Sequence, residues 1–395
     1  MHIHTKKENE SINDIALSHG VPLELIKTSN ELSTDAAVGE ELLILTPTRS
    51  YKVRYGDTAE RIALRFGIGV GDIYLNNPTL MGKDPAVGDT IVIKRGERSL
   101  GMSVANGYFY KGCDLEKLKR ALPFLTYVSF GSAISQKNQI RRIMDDSRYV
   151  KLVKDMRKIP LVRVFDSYKD RYRLKDNLED YAEELIAFAT EGGYKGIVLN
   201  ACQNNNSAEN FSSFLIKLRK LMIGCDLILI TEINEDSPTE FSEYADGSVL
   251  YYPKYSMENP HSFDDGERAV LEKLATSCES AKIFVDLPSL ARCGKDFVNI
   301  NSALENARRG KCEILQNKST LLSHFSDKKQ GEYVFPSLSS IEEILKLVGE
   351  LDYMGICFDI MRTPLNHLMM YSALFKNAYH TSVRTREGCS HANEE

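Results

Sequence analysis

Beyond residue 100 the chain alternates short apolar runs with stretches whose apolar positions recur every three or four residues. The runs "GMSVAN" (Gly101 to Asn106), "LTYVSF" (Leu125 to Phe130), "PLVRVF" (Pro160 to Phe165), "GIVLNA" (Gly196 to Ala201), "DLILIT" (Asp226 to Thr231), "SVLYY" (Ser248 to Tyr252), "KIFVDL" (Lys282 to Leu287) and "GICFDI" (Gly355 to Ile360) read as buried strands. Between them, "DNLEDYAEELIAFAT" puts Leu178, Tyr181, Ala182, Leu185, Ile186 and Ala189 on one helical face, and "FSSFLIKLRKLM" does so with Phe211, Phe214, Leu215, Leu218 and Met222. Eight strands with intervening helices predict an α/β fold, a (β/α)8 barrel of TIM type, with any chemistry at the carboxyl ends of the strands.

The first quarter of the chain has a different rhythm, and it repeats. Glu10 to Leu45 aligns with Asp57 to Lys94: Ile15-Ala16-Leu17 matches Ile62-Ala63-Leu64, Asn30 matches Asn76 or Asn77, and Ala37-Val38-Gly39 matches Ala86-Val87-Gly88. Each copy predicts a short strand, clearest in "YKVRYGD" (Tyr51 to Asp57), then two short helices and a closing strand such as "DTIVIK". The front of the chain is therefore a small βααβ module, present twice.

These modules resemble LysM domains, whose pattern "Y-x-V-x-x-G-D-T…I-A…N…L-x-x-G-x-x-L-x-I" is nearly complete in the second copy. The resemblance implies binding of an N-acetylglucosamine-containing glycan, peptidoglycan or chitin. Its contacts would come from Gly56, Asp57, Thr58 and Ala59 after the first strand and from Asn77, Pro78, Thr79 and Leu80 before the second. An acetamide group needs backbone donors and acceptors and a small apolar floor for its methyl. The first copy has Asn9-Glu10-Ser11 in place of Gly56-Asp57-Thr58, and Ile3-His4 in place of the Tyr-x-Val start. Its apolar skeleton predicts folding, while its sugar-binding pattern is broken. A protein contact unit is the alternative for either copy. If both bind one repeating polymer, they reinforce each other through effective concentration.

A chain of 395 residues, 43% hydrophobic, has enough apolar content for a large core and more than one domain. The expected division is residues 1–47 and 51–96 for the modules, 100–380 for the barrel and 381–395 for a polar tail. A net charge of -5 excludes a general binder of nucleic-acid backbone, so runs such as "RKLM" (219–222) and "RRGK" (308–311) are expected to be solvated helix faces. No apolar run is long enough for a membrane span, and "MHIHTKKENESIND" lacks the apolar segment of a secretory signal, which predicts synthesis in the cytoplasm. The eight cysteines form no CxxC pair and have no histidine at ligand spacing, which predicts free thiols, no metal site and no cofactor. Tryptophan is absent, and with it the usual ring on which sugars stack.

The order of the pieces resembles glycoside hydrolase family 18, and within it the bacterial spore-envelope enzymes that join two LysM modules to such a barrel. The residues that carry this are "ANGYFYKGCDLEKLKRALPFLTYVSFGSA" (Ala105 to Ala133) and "GICFDIMRTPLNHLMM" (Gly355 to Met370). A segment from about Asn299 to Ser337 stands where that family inserts a small subdomain before the last strand. The resemblance implies "D-G-x-D-x-D-x-E" on the fourth strand, where the Glu protonates the glycosidic oxygen and the substrate's own acetamide attacks. Residues two apart on a strand point the same way, so the spacing of those acids is fixed. In this chain the motif falls on "KGIVLNAC", with Lys195, Val198, Asn200 and Cys202 at the acidic positions.

A general acid is worth about two to four powers of ten in rate. A thiol with an ordinary pKa of about 8.5 is a poor proton donor to an acetal. Asn200 can hydrogen-bond an acetamide but cannot balance a developing positive charge. On the sixth strand "YYPKYS" (Tyr251 to Ser256) offers Pro253 and Lys254 where the family has a Tyr and an acid, and Asp359 stands at the expected Trp of the eighth. Replacement acids at strand ends are Glu232, Asp286 and Asp359, with Asp166, Glu235 and Asp236 nearby, unless they only pair with Lys195, Lys254 or Arg362. The leading expectation is a peptidoglycan-binding protein of the spore coat or cortex with a silent barrel, whose cleft offers Asn200, Tyr251, Tyr252 and Tyr255. Coat or cortex proteins are the further expected partners. The rivals are an active peptidoglycan or chitin-type hydrolase with relocated carboxylates, and an interaction module without sugar affinity.

Overall fold

A computed structural model of the chain describes residues 1–96, 99–136, 139–166, 178–200, 208–234, 237, 239–250 and 265–377. At the front, β1 (His2–Thr5), α1 (Ile12–His19), α2 (Leu23–Ser29) and β2 (Glu41–Ile44) form one module on an antiparallel strand pair. The second module has β3 (Pro47–Lys52), α3 (Ala59–Phe66), α4 (Val70–Asn76) and β4 (Thr90–Arg95) in the same arrangement. β3 starts and ends earlier than the expected Tyr51–Asp57 strand, leaving Val53 to Asp57 as the loop into α3.

The same local chemistry starts and stops the matching helices. Ser11 and Thr58 accept from the N–H groups of Asp14 and Arg61, and the left-handed Gly20 and Gly67 close α1 and α3 onto carbonyls one turn back. Asn30 and Asn77 are buried and tie the second helix to the closing strand. Asn77 Nδ2 donates to the carbonyls of Ile73 and Val92 at 2.8 Å each, and its Oδ1 accepts from Val92 N–H at 2.9 Å. Asn30 makes the matching bonds to Ile26 and Leu43, so Asn77, not Asn76, is its counterpart.

The barrel begins with β5 (Met102–Tyr110), α5 (Leu115–Ala121) and β6 (Tyr127–Gln136), which runs into a hairpin with β7 (Gln139–Arg142). It continues through α6 (Ser147–Asp155), β8 (Ile159–Asp166), α7 (Leu178–Glu191), β9 (Gly196–Asn200), α8 (Ala208–Ile223) and β10 (Ile228–Ile233). A short α9 (Glu240–Glu243), β11 (Gly247–Leu250), α10 (Asp265–Ser277) and β12 (Ile283–Asp286) follow.

An insertion then intervenes: β13 (Leu290–Cys293), β14 (Asp296–Asn299), α11 (Ile300–Gly310), β15 (Leu315–Gln316), β16 (Leu322–Asp327) and β17 (Gly331–Pro336). Its five strands make an antiparallel sheet with a core of its own around Ala291, Ile300, Phe325 and Tyr333. It opens at Leu290 rather than near Asn299, because "LARCGKDFVN" is a hairpin turning at the left-handed Gly294. After α12 (Leu338–Glu350), β18 (Gly355–Asp359) pairs with both β12 and β5, and β5 with β6, closing eight parallel strands into a ring. α13 (Leu365–Leu374) and a short β19 (Lys376–Asn377) complete the described chain.

Alternation along each strand divides two apolar regions. Leu161, Val198, Ile230, Val249, Phe284 and Cys357 fill the inside of the ring, while Val162, Ile197, Leu199, Leu229, Val285 and Phe358 face the helices. One expectation is corrected on α11: Arg309 is solvated, but Arg308 is not, its side chain being only 3% exposed in an ion pair with Glu40. No helix among the described residues is long and apolar enough to cross a membrane.

Candidate functional site

At the carboxyl ends of the strands the inward positions turn polar. Arg163 continues the inward phase of Leu161 on β8. Its Nε lies 2.5 Å and its Nη2 2.8 Å from the two oxygens of Glu232, and its Nη1 donates to the Tyr110 hydroxyl at 2.7 Å. The guanidinium lies 4.8 Å from the ring centres of both Tyr108 and Phe165. Gly131 makes room for this packing, since a Cβ there would meet the ring of Tyr110 at 2.4 Å and that of Phe165 at 2.8 Å. Glu232 is fully buried and also accepts from the Tyr108 hydroxyl at 3.2 Å and from Asn200 Nδ2 at 2.9 Å. Oε2 thus takes two hydrogen-bond donors, and Oε1 takes the Tyr108 hydroxyl beside the ion-pair contact with Arg163 Nε.

Glu232 and Asn200 were legible in the sequence as mouth residues. Arg163 was not singled out, although a charge between Val162 and Val164 in the inward phase of an apolar strand was the available signal. Val198, at an acidic position of the motif, lies in the apolar layer inside the ring. Lys195 precedes β9 at its amino end, where it stands 3.8 Å from exposed Asp226, away from the mouth. Cys202, Tyr251, Tyr252, Pro253, Lys254, Tyr255, Glu235, Asp236 and the tail lie outside the described residues, as does the side chain of Asp166.

Asp286 and Asp359 end β12 and β18. Burial, and then the nearby Asp359, push the Asp286 carboxyl well above the usual carboxylate range, against the pull of Arg163. Burial also raises Asp359, opposed by the N–H of Met361 at 2.8 Å and by Arg362, whose Nε lies 3.5 Å away. Cys357, paired in register with Asp286, has its thiol raised by burial first of all. An open cleft of about 360 Å³ adjoins this region and is lined by Tyr110, Cys113, Met144, Asp145, Arg148 and Tyr149. Among the described residues no group of three His, Cys, Asp or Glu could hold a metal ion.

In the second module, Gly56 and Thr79 are exposed, Asp57, Thr58 and Leu80 half-buried, and Ala59, Asn77 and Pro78 buried. Asp57 accepts from the Tyr51 hydroxyl at 2.7 Å and from Arg54 N–H at 2.8 Å, contacts that hold its carboxyl below the usual range. Thr58 caps α3, and Ala59 N–H donates to Asp84 at 3.0 Å. The carboxylate of Asp57 and the amide of Asn77 therefore shape the two loops from within.

Fold and site together define a tandem-LysM chain on a (β/α)8 barrel. Residues 4–44 and 51–94 match the LysM domain model. No curated protein matches the chain. Its fold is shared with the spore cortex-lytic enzyme SleL of Bacillus megaterium, at 19% identity, TM-score 0.72 and coverage of 95% of this chain and 98% of that one. SleL of Bacillus cereus gives 15%, 0.73, and 95% and 99%. A chitinase from Chromobacterium violaceum matches at 14%, TM-score 0.61, over 70% of this chain and 100% of its own.

Proposed function

We propose that this chain binds an N-acetylglucosamine-containing glycan, the peptidoglycan of a spore envelope, through its LysM part, and that its barrel does not hydrolyse it. The observation that carries the second half is the Glu232 carboxylate, closed on both oxygens by Arg163, Tyr108 and Asn200. A general acid must reach the proton acceptor directly or through one water. Glu232 is engaged elsewhere, and Val198 supplies no acid. The fold likeness to cortex-lytic enzymes and a chitinase supports the choice of glycan and a place in the spore coat or cortex.

A specific observation favours a second reading. Asp286 and Asp359 are carboxyls with raised pKa at neighbouring strand ends, and a carboxyl that keeps its proton is the kind of group glycosidases use as an acid. Incubation with purified sacculi separates the two. The expected result is retention of the protein without release of reducing ends. Release that vanishes in Asp286→Asn or Asp359→Asn establishes the hydrolase, and neither retention nor release leaves a scaffold for coat proteins.

A further inference from the structure

Both modules carry the same turn, Ala37-Val38-Gly39-Glu40 in the first and Ala86-Val87-Gly88-Asp89 in the second. Its internal bonds are alike. Glu40 accepts from Ala37 N–H and Asp89 from Ala86 N–H, each at 2.9 Å, while Gly39 donates to Lys6 O at 2.8 Å and Gly88 to Val53 O at 2.9 Å.

The surroundings are not alike. In the first module Arg308 of α11 clasps Glu40, Nε to Oε2 at 3.0 Å and Nη2 to Oε1 at 2.6 Å, with both side chains dry. Ile314 N–H donates to Val38 O at 2.8 Å, and a Cβ on Gly39 would lie 1.9 Å from Ile314 O. Ala37 packs into the core of the insertion. The flanking acids dock too: Glu31 accepts from Leu365 N–H at 2.9 Å, and Glu41 from Ser339 N–H at 3.0 Å, at the starts of α13 and α12. In the second module the whole turn is exposed, Val87 to 65%, and a Cβ on Gly88 would meet nothing within 4 Å. At the same end, two residues beyond Val53, Tyr55 is 96% exposed next to Gly56, where the first module has Glu8.

We infer that the first module has made its Ala37–Glu40 face into the seat of the barrel's insertion, leaving Tyr55, Gly56 and Val87 of the second as the one LysM face open to glycan. The assignment of that face rests on the glycan-binding reading above; the seat does not. An exposed phenol ring on one loop and an exposed valine on the other offer apolar surface for a sugar face and an acetamide methyl, in a chain without tryptophan. Two modules then give one binding site, and no reinforcement along the polymer.

Two experiments on the full chain test this. Gly39→Ala and Gly88→Ala each place a Cβ at positive φ, 79° and 93°, but only the first meets the insertion. Gly39→Ala is expected to lower the melting temperature clearly more than Gly88→Ala, and equal losses overturn the seat. Calorimetric titration with the hexamer of N-acetylglucosamine is expected to give one site, weakened about tenfold or more by Tyr55→Ala and within about twofold by Glu8→Ala. Two sites, or a loss in Glu8→Ala as large as in Tyr55→Ala, overturn the single face. If the unaltered chain fails to bind the hexamer, the glycan reading falls and takes the Tyr55 face with it, while the seat is still decided by the glycine pair.

Discussion

Arg163 is the residue around which the barrel mouth is organised. A guanidinium so far from water needs an acid, and Glu232 meets it in a two-pronged geometry that leaves little for chemistry. Asp286 has no such pairing as its dominant influence, and its raised pKa has a thermodynamic consequence. Above the ordinary carboxylate range and below its folded value, the folded chain holds a proton that the unfolded chain has released. Stability from this group therefore falls as pH rises through that window. Asp286→Asn removes the effect, so the variant is expected to gain on the unaltered protein as the pH is taken from about 4 to about 7. Melting curves across that range check it, and a constant offset between the two proteins refutes it.

At the scale of elements, the buried asparagines bind helix to strand. Asn77→Ala leaves the N–H and the carbonyl of Val92 without their partner inside the second module, while Ile73 O keeps the backbone N–H of residue 77, at about 1–3 kcal/mol for each group left unsatisfied. β4 is expected to lose its protection from amide hydrogen exchange while β9 and β10 keep theirs; protection unchanged in β4 shows that water replaces the amide. The eight barrel strands and the repeat were legible because each is a local pattern: an apolar run, or a recurring Ile-Ala-Leu and Ala-Val-Gly. The β13–β14 hairpin was not, since "LARCGKDFVN" carries charges on a half-covered sheet and lacks a buried run. Asn77 was visible as a residue but not in its role, because a loop amide that faces inward and one that faces a ligand look the same in sequence. Arg308 was misjudged for another reason: the acid that buries it lies 268 positions away.

Across the whole molecule, the first module belongs energetically to the barrel. Leu43 and Leu45 join the core shared by the barrel and its helices, and Glu40 neutralises a charge in the insertion. Removing residues 1–46 takes away the acid of Arg308 and uncovers the apolar surfaces on which Ala37, Leu43 and Leu45 pack. The shortened chain is expected to melt well below the full one or to be insoluble. An unchanged melting temperature in the 47–395 chain means that the contact is weak.

The bonds from Glu41 to Ser339 and from Glu31 to Leu365 join positions 298 and 334 residues apart. The first module must therefore wait until α12 and α13 have been made before Glu41 and Glu31 find their partners. Contacts of such length close slowly. Ring closure and seating of the first module thus come after α11, α12 and β18 have been made, and a chain stopped short of α13 seats that module without the contact to Glu31.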